Sequence, residues 1–393
     1  MSDACLSRSA CDIWDTNDTP SGNLPQPRRG RRERDASTAG RPSRRPDARS
    51  TRPEGVQPTA GQVDHGGNRM NHDLNRRQFL GSTAALGAGM TVLGAGAGAA
   101  QNAPAKSSVL KATRGEATKE RVVSAPVIRE MVDAVVMKLS GKSTPAGAWA
   151  TYVKPDDVVG IKINTLFGVG ACTHPEVTDA VIQGCKAAGV PADKIIVWDM
   201  RDGHLQKSGY EINRDRGVKC YGVNDEWEAE PVAIHTCQGR LAKVLTRTCT
   251  ALINVPVLKS HSGAGITLSM KNHYGSFDCP GKCHDNFCDP YIAHLNELAP
   301  IKAKTRLIVA DALTPVAEGG PQARDQFTYE QKTILAATDT VAIDYVALKL
   351  LDAQRAKMDL PSLETTGKAK HVLTAAEMGL GVADLAKIEV VEA

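Results

Sequence analysis

Lysine is missing from the first 69 residues of this 393-residue chain, and apolar side chains are few there. A segment so poor in hydrophobic surface cannot offset the entropy lost on ordering, so residues 1–69 are expected to be disordered or to precede the true start of translation. Arginine fills the gap: twelve stand against nine acids, a surplus of three. Residues 70–100 add two arginines and one acid, so these two surpluses account for the formal charge of +4 and the part from Gln101 onward sums to zero. Without a basic surplus on the folded part, nucleic acid and anionic membrane surfaces are not expected partners. Short catalytic signatures are missing too. The sequence has no P-loop, no GxGxxG, no nucleophile elbow and no HExxH, so no motif of this kind fixes the reaction type.

Met70 opens the stretch MNHDLNRRQFLGSTAALGAGMTVLGAGAGAA. Asn75 to Leu80 is a twin-arginine pattern, followed by an uncharged Gly/Ala/Leu/Val run and an Ala-rich exit. That three-part form predicts an export signal over residues 70–105, cleaved between Ala99 and Ala105. The run is dominated by Gly and Ala and is only weakly hydrophobic, so no stable membrane anchor is expected after cleavage. The expectation is therefore a bacterial, periplasmic protein that engages the twin-arginine export machinery. Of ten cysteines, Cys5 and Cys11 precede the signal, and eight follow it. An even number in an exported chain permits disulfides. The twin-arginine route generally serves proteins that fold before export, often around a cofactor, which leaves metal ligation open as well.

Residues 106–123 read as polar linker and 124–393 as a single α/β domain. Ser124 can cap a helix through Leu139 whose apolar positions form one stripe. Strands are expected at Asp157 to Asn164, Lys194 to Trp198, Ala251 to Val257, Arg306 to Ala310, Thr333 to Ala337 and Lys387 to Val391. Helices are expected at Pro175 to Gly189, Thr340 to Leu351 and Gly367 to Met378. Thr173 and Glu176 have capping-box spacing around Pro175, and the glycine-bearing loop before them could present free amides to an anion. Residues 205 to 250 read as mixed loop. The alternation predicts an α/β fold with a largely parallel or mixed sheet flanked by helices in Rossmann-like layers.

Ligands of open α/β sheets bind beyond the carboxyl ends of the strands. Those ends carry Asn164, Asp199, Lys259 with His261, Asp311 and Asp339. Lys259 and His261, one residue apart, project to the same side of extended backbone. Lys162, Asn164, His174, Lys259, Lys271 and Asn272 are the candidates for holding a small anion, and His261, Asp199, Asp311 and Asp344 for catalysis. The spacing Cys279-x3-Cys283-x4-Cys288 offers soft ligands for zinc or an iron-sulfur cluster, with Cys172 or one of the nearby His273, His284 and His294 as a fourth. Disulfide pairing of the same thiols is the competing reading.

An ordered series of motifs carries a family resemblance. It comprises Lys162-Ile163-Asn164, Thr173-His174-Pro175, Val255 to His261, Lys271-Asn272 with Gly275, Asp311 with Glu318-Gly319-Gly320-Pro321, and Asp339 to Asp344. From about Val153 to Leu380 the chain resembles the family catalogued as domain of unknown function 362. Some members carry an added ferredoxin-like cysteine run, which this chain lacks. The reading that results is an exported cofactor- or metal-dependent enzyme, with redox chemistry favoured and a Lys/His anion pocket. A metal-assisted hydrolase of phosphate or carboxylate esters and a non-catalytic small-anion binder are the alternatives.

Overall fold

The computed structural model describes residues 106–393. The expected disordered head, residues 1–69, and the expected export signal, residues 70–105, lie outside the described residues. The chain begins with β1 (Ser107–Thr113), β2 (Thr118–Lys119), β3 (Val122–Val123), α1 (Ala125–Ser140), α2 (Pro145–Trp149), β4 (Val159–Ile163) and α3 (Pro175–Ala187). There follow β5 (Ile195–Asp199), α4 (Asp202–Lys207), β6 (Lys219–Gly222), β7 (Val232–Ile234), β8 (Cys237–Gly239), β9 (Ala251–Val255), β10 (Val257–His261) and β11 (Gly265–Thr267). The last third holds α5 (Ser269–Asn272), α6 (Tyr291–Glu297), α7 (Ala299–Lys302), β12 (Thr305–Val316), β13 (Thr333–Ala337), α8 (Thr340–Lys357), α9 (Lys370–Glu377) and β14 (Ile388–Glu392).

Ten strands share one mixed sheet, in the order β14-β1-β13-β12-β9-β4-β5-β6, with β10 beside the far half of β12 and β11 beside β10. β6, β5, β4, β9 and β12 run parallel. β13 is antiparallel to both its neighbours, and β14 lies parallel to β1. The expected α/β class is the one observed. Both faces are covered: Ile334 and Ala336 of β13 belong to the core under α1 and α3, and Leu335 and Ala337 to the core under α8 and α9. A strand buried on both sides reads as an unbroken apolar run, which is why Thr333–Ala337 stands out in the sequence. No helix among the described residues is long and apolar enough to cross a membrane.

Two expectations are corrected. The stretch 106–123 is no linker, because Val109, Leu110 and Ala112 of β1 are buried between β13 and β14. Two-sided burial on short alternating apolar positions carries only a faint signal. Nor does one strand run from Ala251 to Val257. It stops at Val255 because Pro256 has no amide to give the ladder, and the chain resumes as β10. β12 serves both pieces: its first half pairs with β9, its second half with β10. Asp311 therefore sits inside β12, fully buried, and not at a strand end.

This order places a topological switch at β4. β5 and β6 lie to one side of it and β9 and β12 to the other. A crevice outside the carboxyl ends at such a point is where sheets of this kind bind ligands.

Candidate functional site

A cleft of about 1070 Å³, open mouth included, lies at that switch. Its floor is a chain of buried polar side chains. Lys162, the penultimate residue of β4, donates to the Ile163 carbonyl at 2.6 Å, to Asp199 Oδ1 at 2.8 Å and to Asn272 Oδ1 at 3.2 Å. Asp199 Oδ2 accepts from the Thr165 amide at 2.7 Å and its hydroxyl at 2.6 Å. Burial alone would raise the Asp199 carboxyl, but the Lys162 charge, its hydrogen bond and Thr165 together hold it below the ordinary carboxylate range. Burial lowers Lys162, and Asp199 offsets only part of that. Asn272 Nδ2 donates to the Lys162 carbonyl and to Asn254 Oδ1 at 2.7 Å, and Asn254 in turn donates to Ser269. With its three ammonium protons engaged, Lys162 supports the floor and has none left for a ligand.

The two other buried lysines are placed differently. Lys259, on β10, donates to Asn164 Oδ1 at 3.0 Å and to the Ala171 carbonyl. Lys271, at the end of α5, stands 3.9 Å over the Tyr274 ring and 3.4 Å from His284 Nε2. No acidic side chain of the described residues is within ion-pairing distance of either. Burial is the main cause that brings Lys259 to about 7, with Lys271 and Lys162 adding to it against Cys172 and Asp199. Burial likewise brings Lys271 to about 8.

Two imidazoles complete this wall. His261 Nδ1 accepts from the amides of Gly263 and Ala264, both at 3.0 Å, so it carries no proton and the neutral ring keeps its hydrogen on Nε2. Burial, with Lys271 and His284 nearby, pushes His261 far below the ordinary histidine value. His284 has the opposite tautomer: Nδ1 lies 2.8 Å from the Pro280 carbonyl, which can only accept. Burial and Lys271 bring His284 to about 4.

The cleft thus gathers Lys162, Asn164, Asp199, Lys259, His261, Lys271 and Asn272. Three other candidates lie elsewhere. His174 is not in the cleft wall. Its Nδ1 is 2.7 Å from Asp311 Oδ2, and the same oxygen accepts from the His174 amide at 2.8 Å. Burial would lower His174, but the Asp311 charge and hydrogen bond raise it. Asp311 also accepts from the Leu313 amide, so it fixes the entry to α3. Thr173 does not form the expected capping box, because its hydroxyl donates to the Val255 carbonyl. The anion at that helix start is the chain's own Asp311. Asp344, buried in α8, accepts from the Ser269 and Met270 amides and fixes the start of α5. Asp339 caps α8 at the opposite end of the sheet, since β13 runs antiparallel.

The cysteines do not assemble as expected. Among the described residues no group of three or more His, Cys, Asp or Glu side chains could hold a metal ion. Cys172 lies beside Ser208. Cys283 meets Cys237, a residue outside the proposed set, whose thiol donates to the Lys282 carbonyl at 3.0 Å. Burial raises the thiols of Cys172, Cys283 and Cys288, which favours the protonated form over the thiolate that a metal requires. This donor set does not fit a zinc or iron-sulfur site, and none of the eight described cysteines forms a disulfide.

Asn254 and Tyr274 belong to the site without being among its candidates, and His284 belongs to it although it was a candidate only as a ligand completing the cysteine group. Asn254 had a readable signal, an amide inside the apolar run of a buried strand. Tyr274 had none, and the proximity of His284 to the cysteines suggested a metal and not the cleft, because the approach of both depends on how the chain folds back after α5. Gly275 was legible only as a motif position. A Cβ there would lie 2.6 Å from Asp199 Oδ1 and 2.9 Å from Lys162 Nζ. Gly275→Ala is expected to cost ~1–3 kcal/mol through overpacking of the ion pair, measured by urea unfolding. An unchanged midpoint would show that the segment after α5 moves aside freely.

Among curated proteins none matches this chain. One solved structure, the crystal structure of a Thermotoga maritima protein from a structural genomics consortium, aligns at 10% identity with a TM-score of 0.33. The alignment covers 65% of this chain and spans 59% of the length of that one. Residues 159–349, which run from β4 into α8 and build the cleft, match the model of the family described as domain of unknown function (DUF362), the family that the ordered motifs resemble.

Proposed function

We propose that the chain binds a small anionic ligand, a carboxylate or phosphate carrier, on Lys259 and Lys271, with the Nε2–H of His261 as a neutral donor. The observation that carries this is the pair of buried lysines in one cleft without an acidic partner. A buried ammonium left unpaired is costly, and an anion from solvent removes that cost. Thr267 Oγ1 supports the same reading. It is buried, lacks a hydrogen-bond partner and lines the cleft on β11, paired in register with Lys259. Buried polar atoms of this kind are normally satisfied by water or ligand.

The sign of the pH dependence follows from the lysines. Anion binding needs both ammonium groups, and in the free protein they lose their protons near 7 and 8. Affinity is therefore greatest below Lys259's value and falls as pH rises through both. Sulfate, whose own charge is constant in this range, should bind at least ~10-fold more weakly at pH ~8.5 than at pH ~6.5. Binding near neutral pH should take up protons, which calorimetry in buffers of different ionisation enthalpy reads directly. Sulfate affinity that stays flat across the range, or no sulfate binding at all, would refute the proposal.

A further inference from the structure

We propose that Lys271 is an imine-forming nucleophile, whose amine condenses with the aldehyde or ketone of a small carbonyl compound while Lys259 holds that compound's anionic group. This rests on the anion-binding reading of the cleft and adds a substrate class and a reaction to it.

The three buried lysines of the cleft are not equivalent. Lys162 spends every ammonium proton on oxygen acceptors, one of them a carboxylate. Lys259 gives two protons to the fixed oxygens of Asn164 and Ala171 and has one left for a ligand; its value in the free protein, about 7, lies below that of Lys271, about 8, so it is the bound anionic group that keeps Lys259 charged. Lys271 alone has no oxygen acceptor. Its surroundings are an aromatic face and an imidazole nitrogen. Burial lowers Lys271 to about 8 against the raising effect of Cys288 and Cys283, so near neutral pH a fraction of it is the uncharged amine that can act as a nucleophile.

His284 is placed to relay protons from that nitrogen, though at about 4 it is too weak a base to keep them. Its Nδ1 hydrogen is committed to the Pro280 carbonyl, so the Nε2 lone pair faces Lys271 Nζ at 3.4 Å. On the same wall His261, its Nδ1 occupied by two backbone amides, presents a fixed N–H donor suited to a carbonyl oxygen. The lysine, the acceptor imidazole and the donor imidazole all line the cleft.

The step balances without a further reactant. The neutral Lys271 nitrogen forms a bond to the carbonyl carbon, and the C=O π pair moves to oxygen. The nitrogen loses two protons in succession, relayed by His284, and both end on that oxygen. The C–O bond then breaks, water leaves, and the nitrogen lone pair closes the C=N bond. Nothing is oxidised or reduced.

The test is reductive trapping on the full chain. Protein is incubated with pyruvate, or separately with pyridoxal 5′-phosphate, in the presence of sodium cyanoborohydride, and the modified peptide is identified by mass spectrometry. One reduced adduct is expected on the peptide bearing Lys271, with trapping at least ~10-fold slower when sulfate competes for the cleft. The adduct should be lost to background in Lys271→Arg. Adducts spread over exposed lysines, an adduct on Lys259, or none on Lys271 with either probe would overturn the proposal. Sulfate binding measured on the same preparation separates the two failures. Sulfate bound without a Lys271 adduct removes the imine alone, and neither result removes the anion cleft with it.

Discussion

Asp199→Ala is expected to lower the free energy of unfolding by ~3–5 kcal/mol, because it leaves the Lys162 ammonium buried against Trp198 without its counter-charge. Both partners are almost fully buried. The Thr165 amide and hydroxyl lose their acceptor at the same time. Replacing both members, Lys162→Met with Asp199→Leu, should cost less than Asp199→Ala alone, and the difference is read from a double-mutant cycle. The pH sign follows from Asp199, whose folded value is lowered. Its contribution is complete above the unfolded value of ~3.9 and is lost as pH falls through the folded one. The gap between wild type and Asp199→Ala should therefore narrow in acid. Urea unfolding at neutral and acid pH checks this, and an Asp199→Ala variant as stable as wild type would show that the pair lies open to solvent.

Lys259→Ala and Lys271→Ala should each weaken sulfate binding by ~10–100-fold, and the double variant should abolish it. A hydrogen bond to a charged group contributes ~1.5–3 kcal/mol, and each 1.4 kcal/mol is a factor of ten in affinity. The two effects should not add simply, because Lys271 lowers the proton affinity of Lys259 and the two share a ligand. Calorimetry on folded variants, with thermal unfolding as the control for structure, gives the result. If the double variant binds sulfate as wild type does, the anion lies elsewhere on the molecule.

Much of the sheet was legible because its strands are buried on both faces and so appear as short apolar runs: Ile195–Asp199 and Thr333–Ala337 are found almost where expected. β1 was missed because only Val109, Leu110 and Ala112 mark it among polar neighbours. At the site, Lys162, Asn164, Asp199, Lys259, His261, Lys271 and Asn272 could be nominated because a polar group beside buried strand residues is conspicuous. The same reasoning nominated Asp311, Asp339 and Asp344, which brace backbone amides in the fold. A carboxylate that caps a helix and one that faces a ligand look alike in one dimension. Strand direction separates them: the antiparallel turn of β13 sends Asp339 away, and no local pattern encodes it. The cysteine spacing failed for a related reason, since Cys237 is brought beside Cys283 from a distant hairpin, β7 and β8, while Cys172 is held near Ser208.

By putting Asp311 at the entry to α3, the molecule has closed its own backbone cradle to outside anions. Selectivity in the cleft is left to replaceable side chains and not to main-chain geometry. Exchanges at positions 259, 261 and 271 could then redirect the chain to a different ligand while every strand stayed in register, so neighbouring lineages built on this sheet need not share a substrate.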